Sequence, residues 1–560
     1  MPTKIDVNAP WKERSDAKKR SVLDGVPARF IHPELEFSTT DTTPLTDVPA
    51  RYLSPEELSI TSLDAVALVR SLAQGTLSAV QVLDAFTHRA AIGHRLLNCC
   101  LEFRYRDARQ EAERLDALYR QTGTTLGPLH GLPISVKDQC RIVGTETTCG
   151  FVAGIGVVDD DDCTLVQILR RAGAVVFVKT NLSFGCMWGE TINNVIGRTS
   201  NPFNRAFSCG GSSGGEGALL GFRGSPMGVG TDLGGSIRSP SAYQGLWGLR
   251  PSSGRIPYHR MLNSMEGNEI VESVVGPMSH SPESLELFVR TVVGQQPWLH
   301  DPKCHPIPWR DGVFDDILGG RKLRIGVQDW DGCVLPQPPV RRAIRELEQK
   351  LRAAGHELFP WRVDQTEALE ILTSAMTCDG RGDHDRTIAR SGEPDLQLFF
   401  RSSRGPDSVL DTWDHAMRRL QFQAALLRQW NATGTEGQPP MDVYLTPVNP
   451  SVCPKHGDYQ RVRYLGYTGT VNVLDFTACT IPVTFVDEAV DLADSPDGTS
   501  DAAGNPLPAP VSELDRTIRQ RYDPSVYKGL PVTVQIVGRR LEEEKVLAIA
   551  QVMRRLTALQ

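Results

Sequence analysis

The chain has 560 residues, 40% of them hydrophobic, enough for one large α/β domain with decorations or for several ordinary ones, and this excludes a disordered chain. Sixty lysines and arginines against 67 aspartates and glutamates give a formal net charge of -7 with no long basic run, so nucleic acid is not an expected partner. The opening segment MPTKIDVNAPWKERSDAKKRSVLDG lacks the apolar core of a signal peptide, and no run of about 18 apolar residues occurs, so a soluble cytoplasmic protein without a membrane span is expected.

Residues 1–55 are polar and dotted with proline and read as an N-terminal extension wrapped over a body that runs from 56 to 560. Across 54–92, Ser or Thr caps followed by apolar residues at helical spacing predict two helices, and 106–123 predicts a third that Gly123 closes. Short β-branched runs then begin, within 127–139, 172–182 and 226–235, separated by helical stretches such as CTLVQILRRAG. That alternation predicts an α/β fold: one large domain with a mixed, mostly parallel β-sheet covered by helices on both faces. Residues 310–440 are rich in charged helical segments and read as a helical insertion or smaller lobe. Residues 486–510, acidic and full of Gly and Pro, read as a solvated surface loop, before a strand (LPVTVQIVG) and a last helix close the chain. The twelve cysteines show no CxxC pair and no Cys/His spacing suited to zinc, so neither a disulfide framework nor a metal site is signalled. Most read as small buried side chains, with Cys186 and Cys209 singled out by their position.

Chemistry is first signalled by GGSSGG, residues 210–215, which leads directly into the apolar ALLGF. A flexible linker is one reading. A phosphate cradle is another, weakened because Gly217 is followed by Ala218 where a P-loop needs Lys and Ser or Thr. Gly211, Ser213 and Gly215 also fit the nucleophile elbow G-x-S-x-G, but that motif needs a core strand before it, and NPFNRAFSC is polar and turn-like. The fourth reading joins the stretch to GVGTDLGGSIRSP, where glycines before Ser236 let several backbone N–H groups converge on one spot, as an oxyanion hole requires. A nucleophilic serine needs a base. His130, His259 and His280 are available, but Lys137, ending the run LPISV, is the better candidate, because burial disfavours the ammonium and a neutral lysine accepts protons. Against this stands a lysine that merely extends from a strand end to water.

The ordered segments GPLHGLPISVKDQ, SCGGSSGGEGALL, GVGTDLGGSIR, GLRPSSGRIPY, NSMEGNE, VLDFTACTIPVTF and GLPVTVQIVGRRL resemble the amidase signature family, and within it the fungal acetamidase-like branch, over nearly the whole chain. The resemblance implies a hydrolase that cleaves carboxamide C–N bonds without metal or organic cofactor. It implies Ser236 as the nucleophile that carries the acyl group, Ser212 as a bridging serine with an unusual cis peptide, and Lys137 as the base. Backbone amides of Leu233, Gly234, Gly235 and Ser236 would form the oxyanion hole. Ser213 is implied to support the turn, and Asp232 and Arg238 to brace the nest, a role compatible with an ordinary partly buried ion pair. Cys186, Met187, Trp188 and Ser239 would border the acyl pocket, with 464–474 over its mouth. The expected partner is a small-molecule amide. No amphipathic membrane cap is evident, and a homodimer is left open. Alternatives are an esterase or carbamate hydrolase with the same Ser-Ser-Lys machinery, an α/β-hydrolase using Ser213 and a histidine, and a scaffold or amidotransferase-like subunit. The physiological amide is not written in the sequence.

Overall fold

The computed structural model describes residues 5–398 and 405–557. Its strands, in chain order, are β1 (Cys100–Phe103), β2 (Pro133–Lys137), β3 (Val175–Thr180), β4 (Ser200–Asn201), β5 (Asn204–Ser208), β6 (Met227–Asp232), β7 (Trp247–Arg250), β8 (Val274–Ser279), β9 (Arg324–Val327), β10 (Glu357–Pro360), β11 (Val443–Pro447), β12 (Ala478–Phe485) and β13 (Pro531–Val537). Eleven of them form one sheet in the order β1-β3-β2-β6-β8-β7-β12-β13-β11-β9-β10, and β4 and β5 pair separately. The runs that predicted strands became β2, β3, β6 and β13, each buried along its whole length. Continuous β-branched runs have this fate when helices cover both faces of a sheet.

The sheet is mixed, but not mostly parallel. Parallel pairing is confined to β3–β2–β6 and β11–β9–β10, four of the ten neighbouring pairs, and the other six are antiparallel. Alternating strands and helices show that helices intervene; they do not show on which side the next strand is inserted. Here the chain crosses from β6 to β7 and back to β8, so that β8 fills the space between them.

The helix boundaries follow capping. Across 54–92 there are three helices instead of two: Pro55–Ser62, Ala65–Ala73 and Ala79–Leu97, capped by the side chains of Ser54, Asp64 and Ser78. The extra break falls at Leu63–Asp64, where the Asp64 carboxylate takes the Ala67 N–H and starts a new helix. Helix Tyr105–Thr122 ends at Gly123, whose φ of 67° places it in the left-handed region.

Residues 5–55 are anchored to the body by helix Trp11–Ser21. Arg14 donates to the carbonyls of Val152 and Ile155, and Lys18 bridges Glu102 and Glu146. The 310–440 stretch contains long helices, but β9 and β10 also lie in it and continue the main sheet, so it is built into the same layer structure. The 486–510 segment is irregular and is tied down where Asp491 and Asp494 pair with Arg342 and Arg341. Helix Val409–Asn431 buries Phe422, Leu426 and Trp430 against the body and leaves an apolar stripe on its opposite side, which the sequence reading did not register. Among the described residues no helix is long and apolar enough to cross a membrane.

Candidate active site

The neighbouring strands β2 and β6 and two glycine-rich turns converge on one spot. Lys137 ends β2, Thr231 and Asp232 end β6, GGSSGG links β5 to helix Gly214–Gly221, and Leu233–Ser236 follow β6. Every residue of GGSSGG is buried, which excludes the linker reading. Gly211 has no room for a side chain: a Cβ there would lie 2.5 Å from both Ser183 Oγ and the Trp188 carbonyl. The Gly211–Ser212 peptide is cis, and the Ser212 carbonyl accepts from the Ser183 N–H at 3.2 Å.

This turn sets the Ser212 hydroxyl 2.6 Å from Lys137 Nζ. Nζ also donates to Thr231 Oγ1 at 2.7 Å, and Thr231 passes its own proton to Gln139 Oε1. Lys137 is out of contact with water and Ser212 nearly so. Burial holds the Lys137 ammonium below its ordinary pKa, only partly opposed by nearby thiols and by Asp232. The snorkelling alternative is therefore overturned.

Ser236 is half-exposed and faces a cavity of about 40 Å³. The cavity is lined by Cys186, Met187, Trp188, Gly189, Gly211, Leu233, Gly234, Gly235, Ser239, Met376, Tyr459, Arg463 and Leu465 in addition to Ser236. All four residues expected at the acyl pocket therefore border it, and Ser239 also reaches Asn449 at 3.3 Å. The 464–474 segment contributes Leu465 directly, and Thr468 donates to the Gly234 carbonyl at 2.7 Å. Cys186 Sγ lies 3.3 Å from Cys149 Sγ, both as free thiols, and Cys209 is buried away from the cavity.

Within the nest the amides are not equivalent. Gly235 has φ 129° and gives its N–H to Asp232 Oδ1 at 2.8 Å. Among the described residues no hydrogen bond engages the amides of Leu233, Gly234 or Ser236. Asp232 and Arg238 form a fully buried two-point ion pair, with both N···O distances 3.0 Å. Burial alone would raise the Asp232 pKa, but Arg238 and Asn472 hold it far below the usual carboxylate range. Arg238 also reaches Asn472 Oδ1, the Thr468 carbonyl and Gln535 Oε1, so the pair ties the nest to β13 and to helix Gly466–Leu474.

Ser213 is fully buried, and its hydroxyl exchanges hydrogen bonds with the Thr231 backbone. That removes it as an elbow nucleophile. Among the described residues no histidine lines the cavity: His130 accepts from the Leu126 amide, His259 contacts Thr164, and His280 is only partly buried, away from it. No group of three or more metal-ligating side chains occurs among the described residues.

A family model described as Amidase matches residues 81–547. The chain belongs to the amidase family. Its sequence is 42% identical over 550 residues to an acetamidase of Emericella nidulans, covering 97% of each chain. It is 39% identical to an acetamidase of Aspergillus oryzae, covering 97% of this chain and 98% of that one. The fold superposes on a fatty acid amide hydrolase with a TM-score of 0.89 and 31% identity, covering 98% of this chain and 95% of that chain. The protein is an amide hydrolase.

Sequence reasoning missed part of this amidase's site. Met376 comes from helix Gln365–Thr377, and Tyr459 and Arg463 from a short turn far along the chain. Tyr459 packs edge-on against Trp188 at 4.9 Å, and the Arg463 guanidinium sits 5.6 Å from the Trp188 ring centroid. Gln139 and Thr231 went unnoticed although both lie inside quoted motifs. Glu216, in the first turn after GGSSGG, was also missed: it accepts from Ser135 at 2.6 Å and Thr180 at 2.8 Å, and burial raises its pKa to about 8.

Proposed function

We propose that this amidase hydrolyses small uncharged carboxamides through an acyl-enzyme on Ser236, with Ser212 and Lys137 as a proton relay. One observation carries the reading: Lys137 Nζ lies 2.6 Å from the Ser212 hydroxyl, both withdrawn from water behind the cavity that Ser236 faces.

Neutral Lys137 takes the Ser212 proton as Ser212 takes that of Ser236, and Ser236 Oγ bonds to the carbonyl carbon. The negative charge moves to the carbonyl oxygen, where the amides of Leu233, Gly234 and Ser236 receive it. Collapse breaks the C–N bond while Ser212 delivers a proton to the nitrogen, which leaves as ammonia or an amine, and Lys137 returns a proton to Ser212. Water then attacks the ester along the same path and releases the carboxylate.

The cavity limits the acyl group. About 40 Å³ holds roughly three water-sized groups, which suits an acetyl-sized acyl chain. The two fungal relatives described as acetamidases support the same size class.

A fluorophosphonate probe tests the nucleophile. The adduct is expected on Ser236 with loss of turnover, and an adduct on Ser212 or Ser213 overturns the assignment. Acetamide and propionamide are expected to be cleaved well and long-chain amides poorly, with EDTA or phenanthroline leaving the rates unchanged.

A further inference from the structure

Helix Val409–Asn431 exposes Leu410 (66%), Trp413 (62%), Met417 (51%), Leu420 (57%) and Leu427 (45%), with partly exposed Ala424 between the last two. Val409 (66%) at the first helical position stands outside the series, through which steps of three and four alternate, the spacing of a two-stranded coiled-coil seam. The opposite face is already used: Phe422, Leu426 and Trp430 are buried, and Trp430 Nε1 donates to the Met441 carbonyl at 3.0 Å. A contiguous apolar patch of this kind marks an interaction surface.

We propose that this stripe is a dimer interface, on which the same helix of a second copy of the chain packs antiparallel. The side chains complement one another in that register. Leu410 meets Leu427 of the second copy, Trp413 meets the small Ala424, and Met417 meets Leu420, and the dyad repeats each layer in reverse. Placing the largest side chain opposite the smallest is what interdigitating layers need. Charge selects the direction. Asp411, Asp414 and Asp407, the last of which also holds His415, mark the N-terminal end of the helix and Arg428 its last turn, while Arg418 and Arg419 are engaged within the chain by Glu370 and the Val473 carbonyl. A parallel partner sets acid beside acid, whereas an antiparallel one brings Arg428 of the second copy between Asp407 and Asp414 and also opposes the helix dipoles.

A lipid surface fits less well. Helices that lie on membranes carry cations along a broad apolar face. This stripe is narrow, and its first half is flanked by carboxylates that the negative surface of a cytoplasmic leaflet repels.

Sedimentation of the full chain over a range of concentrations tests the proposal. The unmodified protein is expected to dimerise, and Leu420→Asp, at an exposed position, to sediment as a monomer with unchanged amide turnover per chain. Arg428→Asp is expected to weaken the dimer at least tenfold, and Asp414→Arg combined with Arg428→Asp to recover most of that loss. A protein monomeric at every concentration, or a dimer indifferent to both single substitutions, overturns the proposal. So does a monomer that co-floats with phosphatidylcholine and phosphatidylserine vesicles and stops doing so as Leu420→Asp, which assigns the stripe to lipid.

Discussion

A neutral Lys137 has a single lone pair, and its surroundings decide where that pair points. Thr231 Oγ1 already gives its proton to Gln139, so it only accepts from Nζ, and the lone pair is left to face Ser212 Oγ. In the proposed relay, kcat/KM rises with pH along one ionisation of the free enzyme, below the ordinary lysine value because burial disfavours the ammonium. Lys137→Ala is expected to abolish that limb and lower kcat/KM by about 10²–10⁴-fold, the usual worth of a positioned base. Thr231→Val makes a finer test. The Thr231 oxygen stabilises the ammonium more than the amine, so its loss lowers the Lys137 pKa further, and the rising limb of the pH profile is expected to shift toward acid. An unmoved limb would mean that the base is another group.

At the scale of elements, the nest depends on one backbone conformation. Gly235 has φ 129°, and a Cβ there meets Thr468 Oγ1 at 2.7 Å, a hydroxyl that cannot swing away without losing the Gly234 carbonyl. Gly235→Ala is expected to reposition the amides of Leu233, Gly234 and Ser236 and to cut kcat far more than it raises KM, with a backbone cost of order 1–3 kcal/mol. Steady-state kinetics beside a melting curve separates the two effects. The elements that carry this chemistry were legible because they are locally self-contained: β2, β3 and β6 are buried β-branched runs, and the two glycine turns lie next to the serines they shape. Strands such as β7, β9 and β10 have four residues each, too few to show a period. Met376, Tyr459 and Arg463 reach the cavity from distant segments, and nothing local distinguishes them from packing residues. The stripe on Val409–Asn431 was hidden because apolar residues occupy both sides of that helix, so only burial separates the outward set from the inward one.

Across the molecule, the site imposes its own pH dependence on stability. Glu216 ionises near 4.5 in the unfolded chain and about 8 in the fold, where burial favours the neutral carboxyl. Its contribution is present in full below the unfolded value and is lost as pH rises from about 4.5 to 8, because over that window the folded chain holds the extra proton. Glu216→Gln is expected to flatten this part of the profile, seen as a smaller fall in melting temperature between pH 5 and pH 8 than the unmodified protein shows. A fall of equal size in both would show that Glu216 does not titrate in this window. The cavity walls, drawn from five separate stretches of chain, reach a different kind of outcome. In the proposed mechanism, departure of the amine leaves the ester on Ser236 open to any small nucleophile that reaches its carbonyl carbon, and water is not the sole one that qualifies. In that mechanism hydroxylamine, methanol and ammonia itself compete with water for the acyl group. Under that mechanism, the protein supplied with acetamide and hydroxylamine is expected to divide the acetyl group between acetate and acetohydroxamate, with the acetohydroxamate share rising with hydroxylamine concentration.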